Sequence, residues 1–240
     1  MPKRLAVARR RIPLLAELHA HTTWSDGDLA PAALVDLYGA AGFDVLAITD
    51  HVVTSTRREY VRAENFAAYL AEIDAEADRA RTQYGLLVLP GLELTVEDPD
   101  PTRADHAVAI GLRRFIGVDA GLDEALGQAR AAGAALVAAH PYSLADARAA
   151  VRVTARFACE PEWAADVVDR FELVNRDEVF AWVAERRLPA VASGDFHRGE
   201  HLNSWKTLLS CAQHEEAVAA ELRSGRPCAL TRRPRMEVDP

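Results

Sequence analysis

Seven short apolar runs, each of a length suited to a buried strand, alternate along the chain with segments of helical pattern. This alternation is typical of a parallel sheet with crossover helices. Seven strand–helix repeats predict a closed or nearly closed β/α barrel, with an open doubly wound sheet as the alternative. The predicted strands are LLAELHAH, DVLAITDH, LLVLPGLEL, HAVAIGL, AALVAAHP, RFELVNR and PAVASGDFH.

Six segments are predicted to be helical, and the first of them has Pro31 in its opening turn and Gly42 as its stop signal. Three longer segments, 53–63, 96–105 and 143–162, are predicted to be irregular. Each follows a strand that carries a candidate ligand, so each is expected to form part of the rim of a pocket. The predicted helices cover residues 31–42, 64–85, 122–133, 162–169, 178–187 and 215–225.

The length of 240 residues suits one sizeable core, so we expect a single domain over 1–240 with a core from about residue 14 to about residue 225. No window approaches the roughly 18 uninterrupted apolar residues of a membrane span. The basic start of the chain leads directly into the first strand and is interpreted as part of the fold, not as a signal peptide. The tail 231–240 is expected to be poorly packed.

Cysteine content and charge restrict the environment and the partners. The three cysteines form no C-x-x-C pair and leave an odd number, which favours reduced thiols in the cytoplasm. The formal charge of −8 argues against stable nucleic-acid binding, because gripping phosphate backbones requires a basic surface.

Histidine placement is the strongest chemical signal, since six of the eight histidines lie in or at the end of a predicted strand. Residues at the carboxyl ends of parallel strands converge on one mouth of a β/α fold. Imidazoles and carboxylates packed there require a positive partner, and mixed ligation favours zinc, manganese or iron over magnesium or calcium. The six histidines are His19, His21, His51, His106, His140 and His197, and the accompanying carboxylates are Asp26, Asp50, Glu93 and Asp195.

Each of these residues also has an ordinary explanation when it is taken alone. A single strand-end histidine such as His140 is commonly a hydrogen-bonded core or rim residue. Asp50 could cap a following helix or orient His51. The hypothesis of a metal site therefore depends on the whole set.

The order of these motifs resembles the PHP (polymerase and histidinol phosphatase) family of metal-dependent phosphoesterases. The matching motifs are H-x-H followed by S-D-G, then T-D-H, a strand-end Glu, a later His, AHP and finally GDFH, and they span residues 15–197. The resemblance implies a single-domain α/β fold, a distorted (β/α)7 barrel of the PHP type. It also implies two or three divalent transition-metal ions, Mn, Zn or Fe, at the mouth.

The resemblance also assigns ligands, and all nine positions hold a residue able to bind a metal ion. It assigns one ion to His19, His21, Glu93 and Asp195. Glu93 would bridge to a second ion held also by His106 and His140, and a third ion would be held by Asp26, His51 and His197.

The resemblance further implies a phosphoric ester hydrolase, a phosphatase or phosphodiesterase acting on a small phosphorylated metabolite or nucleotide. A metal-bound hydroxide would attack phosphorus without a covalent enzyme intermediate. The predicted catalytic residues are Asp26, Glu93, Asp195 and His197. Arg176, Arg198 and His201 are the candidate substrate-binding residues, with Arg176 preferred because a guanidinium can bind phosphate through two donors.

Three alternatives stay open at the level of sequence. An amidohydrolase-type barrel also begins with H-x-H, but it typically bridges its ions with a carboxylated mid-barrel lysine, whereas Lys3 and Lys206 lie outside that region and Glu93 lies within it. A nuclease or exonuclease acting on short oligonucleotides is the second alternative, and a barrel retained only as a scaffold is the third. Substrate identity, the choice between monoester and diester, the native metal and the oligomeric state are not determined by the sequence.

Overall fold

The computed structural model of the protein describes residues 13–55, 60–145 and 154–232. Strands and helices alternate over most of these ranges, as the sequence predicts. The strands are β1 (Leu14–Glu17), β2 (Val45–Ile48), β3 (His51–Val52), β4 (Leu87–Val96), β5 (Asp105–Ile110), β6 (Ala135–Ala138), β7 (Arg170–Asn175), β8 (Glu178–Val179), β9 (Ala190–Ser193), β10 (Trp205–Leu209) and β11 (Ala229–Arg232). The helices are α1 (Pro31–Ala40), α2 (Phe66–Tyr84), α3 (Leu122–Ala131), α4 (Arg156–Cys159), α5 (Pro161–Val167), α6 (Ala181–Glu185) and α7 (Glu215–Arg223), with a 3-10 turn at Gly199–Asn203.

One sheet connects these strands in a mixed α/β fold. Its order is β11-β10-β1-β2-β4-β5-β6-β7-β8, with β3 paired to β4 and β9 paired to β7. A large buried cluster packs α1, α2 and α3 against the sheet, with Tyr38, Tyr69 and Leu126 among its members. A second cluster packs strand residues against Val218 and Leu222 of α7.

All seven predicted strands are present, but the expectation of an all-parallel sheet is wrong at β5. This strand pairs antiparallel with both β4 and β6. Residues 97–104 join β4 to β5 without a helix, so a strand–helix repeat is missing there. A crossover helix is needed only between parallel strands, whereas antiparallel neighbours can be joined by a short loop.

Three further differences involve elements that the apolar pattern did not predict. The pair β10 and β11 was missed, and β10 lies antiparallel against β1. The predicted helix 178–187 begins later than expected, because Glu178 and Val179 form β8 in a hairpin with β7. Within the segment 143–162, predicted to be irregular, α4 and the start of α5 are helical.

Some sequence predictions lie outside the described residues. These concern the basic start at residues 1–12, parts of two predicted rim segments at residues 56–59 and 146–153, and the tail from residue 233 onward. In the described part of the chain, no helix has the length and apolar character needed to cross a membrane.

The sheet curves so that β9, which is paired to β7, lies beside β10. The Thr207 hydroxyl accepts a hydrogen bond from Ala192 N (2.9 Å) and donates one to Ala192 O (2.8 Å). Beyond the strands, Ala20 and Phe196 form a parallel bridge, in which His21 N donates to Phe196 O (2.8 Å). This contact places the segment after β1 directly beside the segment after β9.

Replacing Thr207 with valine tests this contact, because valine keeps the shape of threonine and removes the hydroxyl. The buried N–H and C=O of Ala192 would lose their partner, and we expect the free energy of unfolding to fall by about 1–3 kcal/mol. Urea unfolding measures the change. Thr231→Val on β11 is the matched control and should stay within about 0.5 kcal/mol of the parent. Equal stabilities for the parent and Thr207→Val would contradict this account of the closure.

Candidate metal centre

Four of the predicted ligands meet at the mouth from the segments after β1, in β4 and after β9. His19 Nε2 and His21 Nε2 are 2.9 Å apart, and each lies 3.4 Å from Glu93 Oε2. Asp195 Oδ1 is 3.6 Å from His19 Nε2 and 3.3 Å from His21 Nε2. Ligand atoms about 2.1 Å from a tetrahedral ion are about 3.4 Å from one another, so most of these spacings fit one ion.

A second group forms around the other oxygen of Glu93. Its Oε1 lies 3.1 Å from His106 Nδ1 and 3.1 Å from His140 Nε2. His106 reaches the mouth because β5 runs antiparallel. This direction places the start of β5, and not its end, beside the carboxyl end of β4. The expectation that His106 belongs to a parallel strand was therefore wrong in direction, although the residue lies where the ligand set requires it.

A third group surrounds the half-exposed carboxylate of Asp26. Its Oδ1 lies 3.3 Å from His197 Nε2, 3.6 Å from His51 Nε2 and 3.9 Å from His21 Nδ1. His21 thus offers one ring nitrogen to this group and the other to the first. Eight of the nine predicted positions come together in three adjoining groups, each with the donor types of a metal site. The ninth, Asp195, lies beside the first group.

The buried carboxylate of Glu93 provides a test of whether a cation fits. Among the residues that the structure describes, none forms a hydrogen bond with its buried Oε2. His51 Nδ1 lies 2.8 Å from this oxygen, and its hydrogen-bond partner is Thr95 Oγ1 at 2.8 Å. A buried carboxylate oxygen without a hydrogen bond is costly, and a divalent cation between it and the facing imidazoles would remove that cost.

The charge states of two buried carboxylates and of one histidine agree with metal ligation. Burial opposes ionisation of Glu93, but His51 and His19 outweigh it and hold the pKa of Glu93 well below its usual range. Burial also opposes ionisation of Asp195, and His19 and His21 hold its pKa well below the usual range. Burial, reinforced by His51, lowers the pKa of His21 to about 3. At neutral pH this gives anionic carboxylates and a neutral imidazole at His21, the forms that bind metal ions. The carboxylates, Glu93 above all, outweigh burial and raise the pKa values of His19, His51 and His140, so a metal ion would displace protons from these rings.

Glu172 on β7 supports two of the candidate ligands from behind. Its Oε1 lies 2.9 Å from His19 Nδ1, and its Oε2 accepts a hydrogen bond from His140 N (2.6 Å). Asn175 Nδ2 also donates to Oε2 (2.7 Å) and fixes the carboxylate. A carboxylate at Nδ1 selects the tautomer that leaves His19 Nε2 free to bind a metal ion.

Asp50 shapes the loop that carries Asp26. Its carboxylate accepts hydrogen bonds from Thr22 N (2.7 Å), Thr22 Oγ1 (2.8 Å) and Ser25 Oγ (2.6 Å). The loop is closely packed, because a Cβ at Gly27 would lie 2.3 Å from His21 O. Asp50 therefore holds the turn between two ligands, which is neither of the roles considered for it from the sequence.

Three residues at this mouth have a backbone in the left-handed region, which costs a residue other than glycine about 1–3 kcal/mol. They are His140 (φ 28°), Arg176 (φ 53°) and Asp195 (φ 41°). Such strain persists where surrounding contacts fix it, and it is concentrated at functional sites. At this mouth the strained backbone belongs to two candidate ligands, His140 and Asp195, and to Arg176, the preferred substrate-binding residue.

The three predicted substrate residues have different positions. Arg176, with a side chain 39% exposed, donates to Asp195 Oδ2 (2.9 Å) and so lies at the centre. Arg198 is 61% exposed and its described ion-pair contact is Glu200, at 3.7 Å. His201 is buried, and its Nδ1 accepts a hydrogen bond from His197 N (3.0 Å), which places it behind the ligands.

Sequence reasoning missed the supporting residues Glu17 and Glu172, and it considered Lys206 only as a weak candidate for contact with the substrate, not as a supporting residue. Each is buried, and each contacts a segment that carries a candidate ligand. The available signal was a carboxylate within an apolar run, since charged residues are rarely buried without a partner. The identity of the partner was not available from local sequence.

Replacing Glu172 with glutamine tests its support of His19. The amide is a weaker acceptor and no longer fixes the tautomer, so we expect the affinity for zinc to fall roughly 10- to 100-fold. Competition with a chromogenic chelator measures the affinity, and the exposed Glu185→Gln on α6 is the control. Parental affinity in Glu172→Gln would exclude this role.

The sequence matches no protein-family model and no curated protein. Its fold does match solved structures. A two-domain protein from Bacteroides vulgatus ATCC 8482, described as containing a predicted PHP-like metal-dependent phosphoesterase, has a TM-score of 0.70 at 18% identity, over 92% of this chain and 65% of that chain. This chain therefore spans less than two thirds of that protein.

Two further structures match with lower scores. A protein from Bifidobacterium adolescentis ATCC 15703, with the provisional name metal-dependent phosphoesterase, has a TM-score of 0.51 at 19% identity, over 78% of this chain and 88% of that one. An amidohydrolase from Chromobacterium violaceum, solved with bound sulfate and no metal, has a TM-score of 0.52 at 19% identity, over 76% of this chain and 87% of that one. The chain shares its fold with structures described as metal-dependent phosphoesterases, one of them PHP-like, and with one described as an amidohydrolase.

Proposed function

We propose that the protein is a metal-dependent phosphoric ester hydrolase that acts on a small phosphorylated metabolite or nucleotide. The observation that carries this proposal is the buried carboxylate of Glu93, which presents each oxygen to a different group of histidines. Divalent cations held there would lower the pKa of a coordinated water and neutralise charge on phosphoryl oxygens.

The donor set supports two or three ions of manganese, zinc or iron, because imidazole nitrogens outnumber carboxylates in it. Asp26, Glu93 and Asp195 supply the negative charge that holds the cations. His197 has a pKa raised above its usual value, since Asp26 and Asp195 outweigh the effect of burial. We propose these four residues as the catalytic set, with the other five histidines as ligands.

Arg176 is the residue that we propose to bind the substrate phosphate. Its guanidinium is fixed by the carbonyl and carboxylate of Asp195, and its partial exposure leaves donors for an incoming anion. Arg198 lies farther out and could contact a more distant part of the substrate. His201 would act through His197, because its Nδ1 accepts a hydrogen bond from the backbone N–H of His197.

Two observations favour this function over the alternatives. Lys206 is buried against Glu17 with its Nζ 2.7 Å from Oε2, so it is engaged away from the position of a bridging carboxylated lysine, which Glu93 fills. The charge of −8 favours a small substrate over a long oligonucleotide. We further propose that the protein is cytoplasmic and forms a single domain with a core from about residue 14 to about residue 225. Cys159, Cys211 and Cys228 form no disulfide in the structure.

A substrate panel on protein reconstituted separately with manganese, zinc and iron tests the function. We expect hydrolysis of a phosphomonoester or phosphodiester, and we expect Glu93→Gln to lower kcat/KM roughly 100-fold or more, because the bridging carboxylate is lost. Glu185→Gln again serves as control. Full activity in Glu93→Gln or His19→Ala would refute the mechanism, and hydrolysis of amides or lactones alone would favour the amidohydrolase alternative.

The role of Arg176 is tested by Arg176→Lys, with Arg198→Lys as the matched control. Lysine keeps the charge and loses the paired donors, so we expect kcat/KM for the phosphate ester to fall roughly tenfold. Steady-state kinetics of the reconstituted enzyme measure the change. An equal effect in the two variants would assign Arg176 no special part in binding phosphate.

A further inference from the structure

A fully buried ion pair lies beneath the candidate metal centre. Lys206 Nζ on β10 is 2.7 Å from Glu17 Oε2 on β1, and both side chains are excluded from solvent. Burying two opposite charges costs solvation that their attraction barely offsets, so such a pair is weak evidence for a role in stability. The contacts of the pair indicate another role.

Glu17 joins two segments that carry candidate ligands. Its Oε1 accepts hydrogen bonds from Gly194 N (2.8 Å) and His19 N (3.3 Å). Gly194 directly precedes Asp195, so one carboxylate fixes the backbone at a histidine on one side of the mouth and beside an aspartate on the other. Tyr38 of α1 donates to Oε2 (2.9 Å) and holds the carboxylate in place.

Lys206 extends the same support to a third segment. Its Nζ donates to Ser204 Oγ (2.6 Å) and to His201 O (3.1 Å). The Nδ1 of His201 in turn accepts a hydrogen bond from the backbone N–H of His197. The ion pair therefore reaches the segments of His19, Asp195 and His197, which contribute to two of the three groups.

The backbone beside Asp195 packs directly on the pair. A Cβ at Gly194 would lie 2.4 Å from Lys206 Nζ and 2.5 Å from Glu17 Oε2. A side chain at this position would therefore displace the ion pair. The backbone that carries Asp195 and the ion pair lie in direct contact.

We propose that Glu17 and Lys206 are positioning residues that set the spacing of His19, Asp195 and His197, and with it the affinity and coordination geometry of the metal centre. The inference rests on the proposed function, because it requires that these residues bind metal. It adds a role for two buried charged residues that are not ligands themselves.

The test titrates Co²⁺ into the metal-stripped full-length protein and records the visible absorption spectrum, which reports coordination geometry. The double variant Glu17→Met/Lys206→Met removes both charges and so avoids leaving one unpaired. We expect it to melt near the parent, to bind Co²⁺ roughly 10- to 100-fold more weakly, and to show shifted absorption bands.

Arg170→Met is the matched control, because Arg170 is also a fully buried cation but bonds the carbonyls of Glu221 and Leu222 at the end of α7. It should keep the parental Co²⁺ affinity and spectrum. Parental affinity and spectrum in the double variant would overturn the proposal. If the double variant does not fold, Glu17→Gln/Lys206→Met replaces it, because this pair also leaves no buried charge and keeps an oxygen for the N–H groups of Gly194 and His19. We expect roughly tenfold weaker binding, and unchanged binding would overturn the proposal.

The same measurements separate this inference from the proposed function. A parent protein that binds no Co²⁺ would refute both. A parent that binds Co²⁺ and hydrolyses phosphate esters, with variants that bind equally well, would refute the positioning role alone.

Discussion

The burial of one carboxylate, that of Glu93, determines how the mouth of this fold is arranged. A buried anion must be compensated, and the ion-pair partners of Glu93 among the described residues are imidazoles. Glu172, Asp50 and the Glu17–Lys206 pair hold the backbone and ring orientations that this arrangement requires. Much of the buried polar network thus fixes the residues that surround Glu93.

The departure from a parallel sheet has the same origin. The long strand β4 extends past the ends of its parallel neighbour β2 and carries Glu93 into the mouth. An antiparallel β5 then lies along this extension with Thr95 opposite His106, which brings a histidine to the second oxygen of Glu93. A strand parallel to β4 would have had its last residues at the site and its first residues far from it.

The apolar pattern predicted the seven strands and the helices to within a few residues, and the histidines at strand ends identified side chains that do converge. Strand direction was not predictable, because the side-chain alternation of β5 is the same in either direction. The strand β10 was missed because its buried Lys206 and Thr207 interrupt the apolar run. Glu172 lies 153 positions from His19, and Gly194 lies 177 positions from Glu17, so nothing local links these pairs.

The closure between β9 and β10 has a consequence for the response of the fold to its ligand. In the described residues these strands share no backbone ladder, and the contacts that join the two margins include those of Thr207 and Glu17 and the bridge between Ala20 and Phe196. His19 belongs to one margin and Asp195 to the other. A cation shared by these two residues would act as a cross-link across the seam, so that occupancy of the centre and resistance to unfolding would rise together.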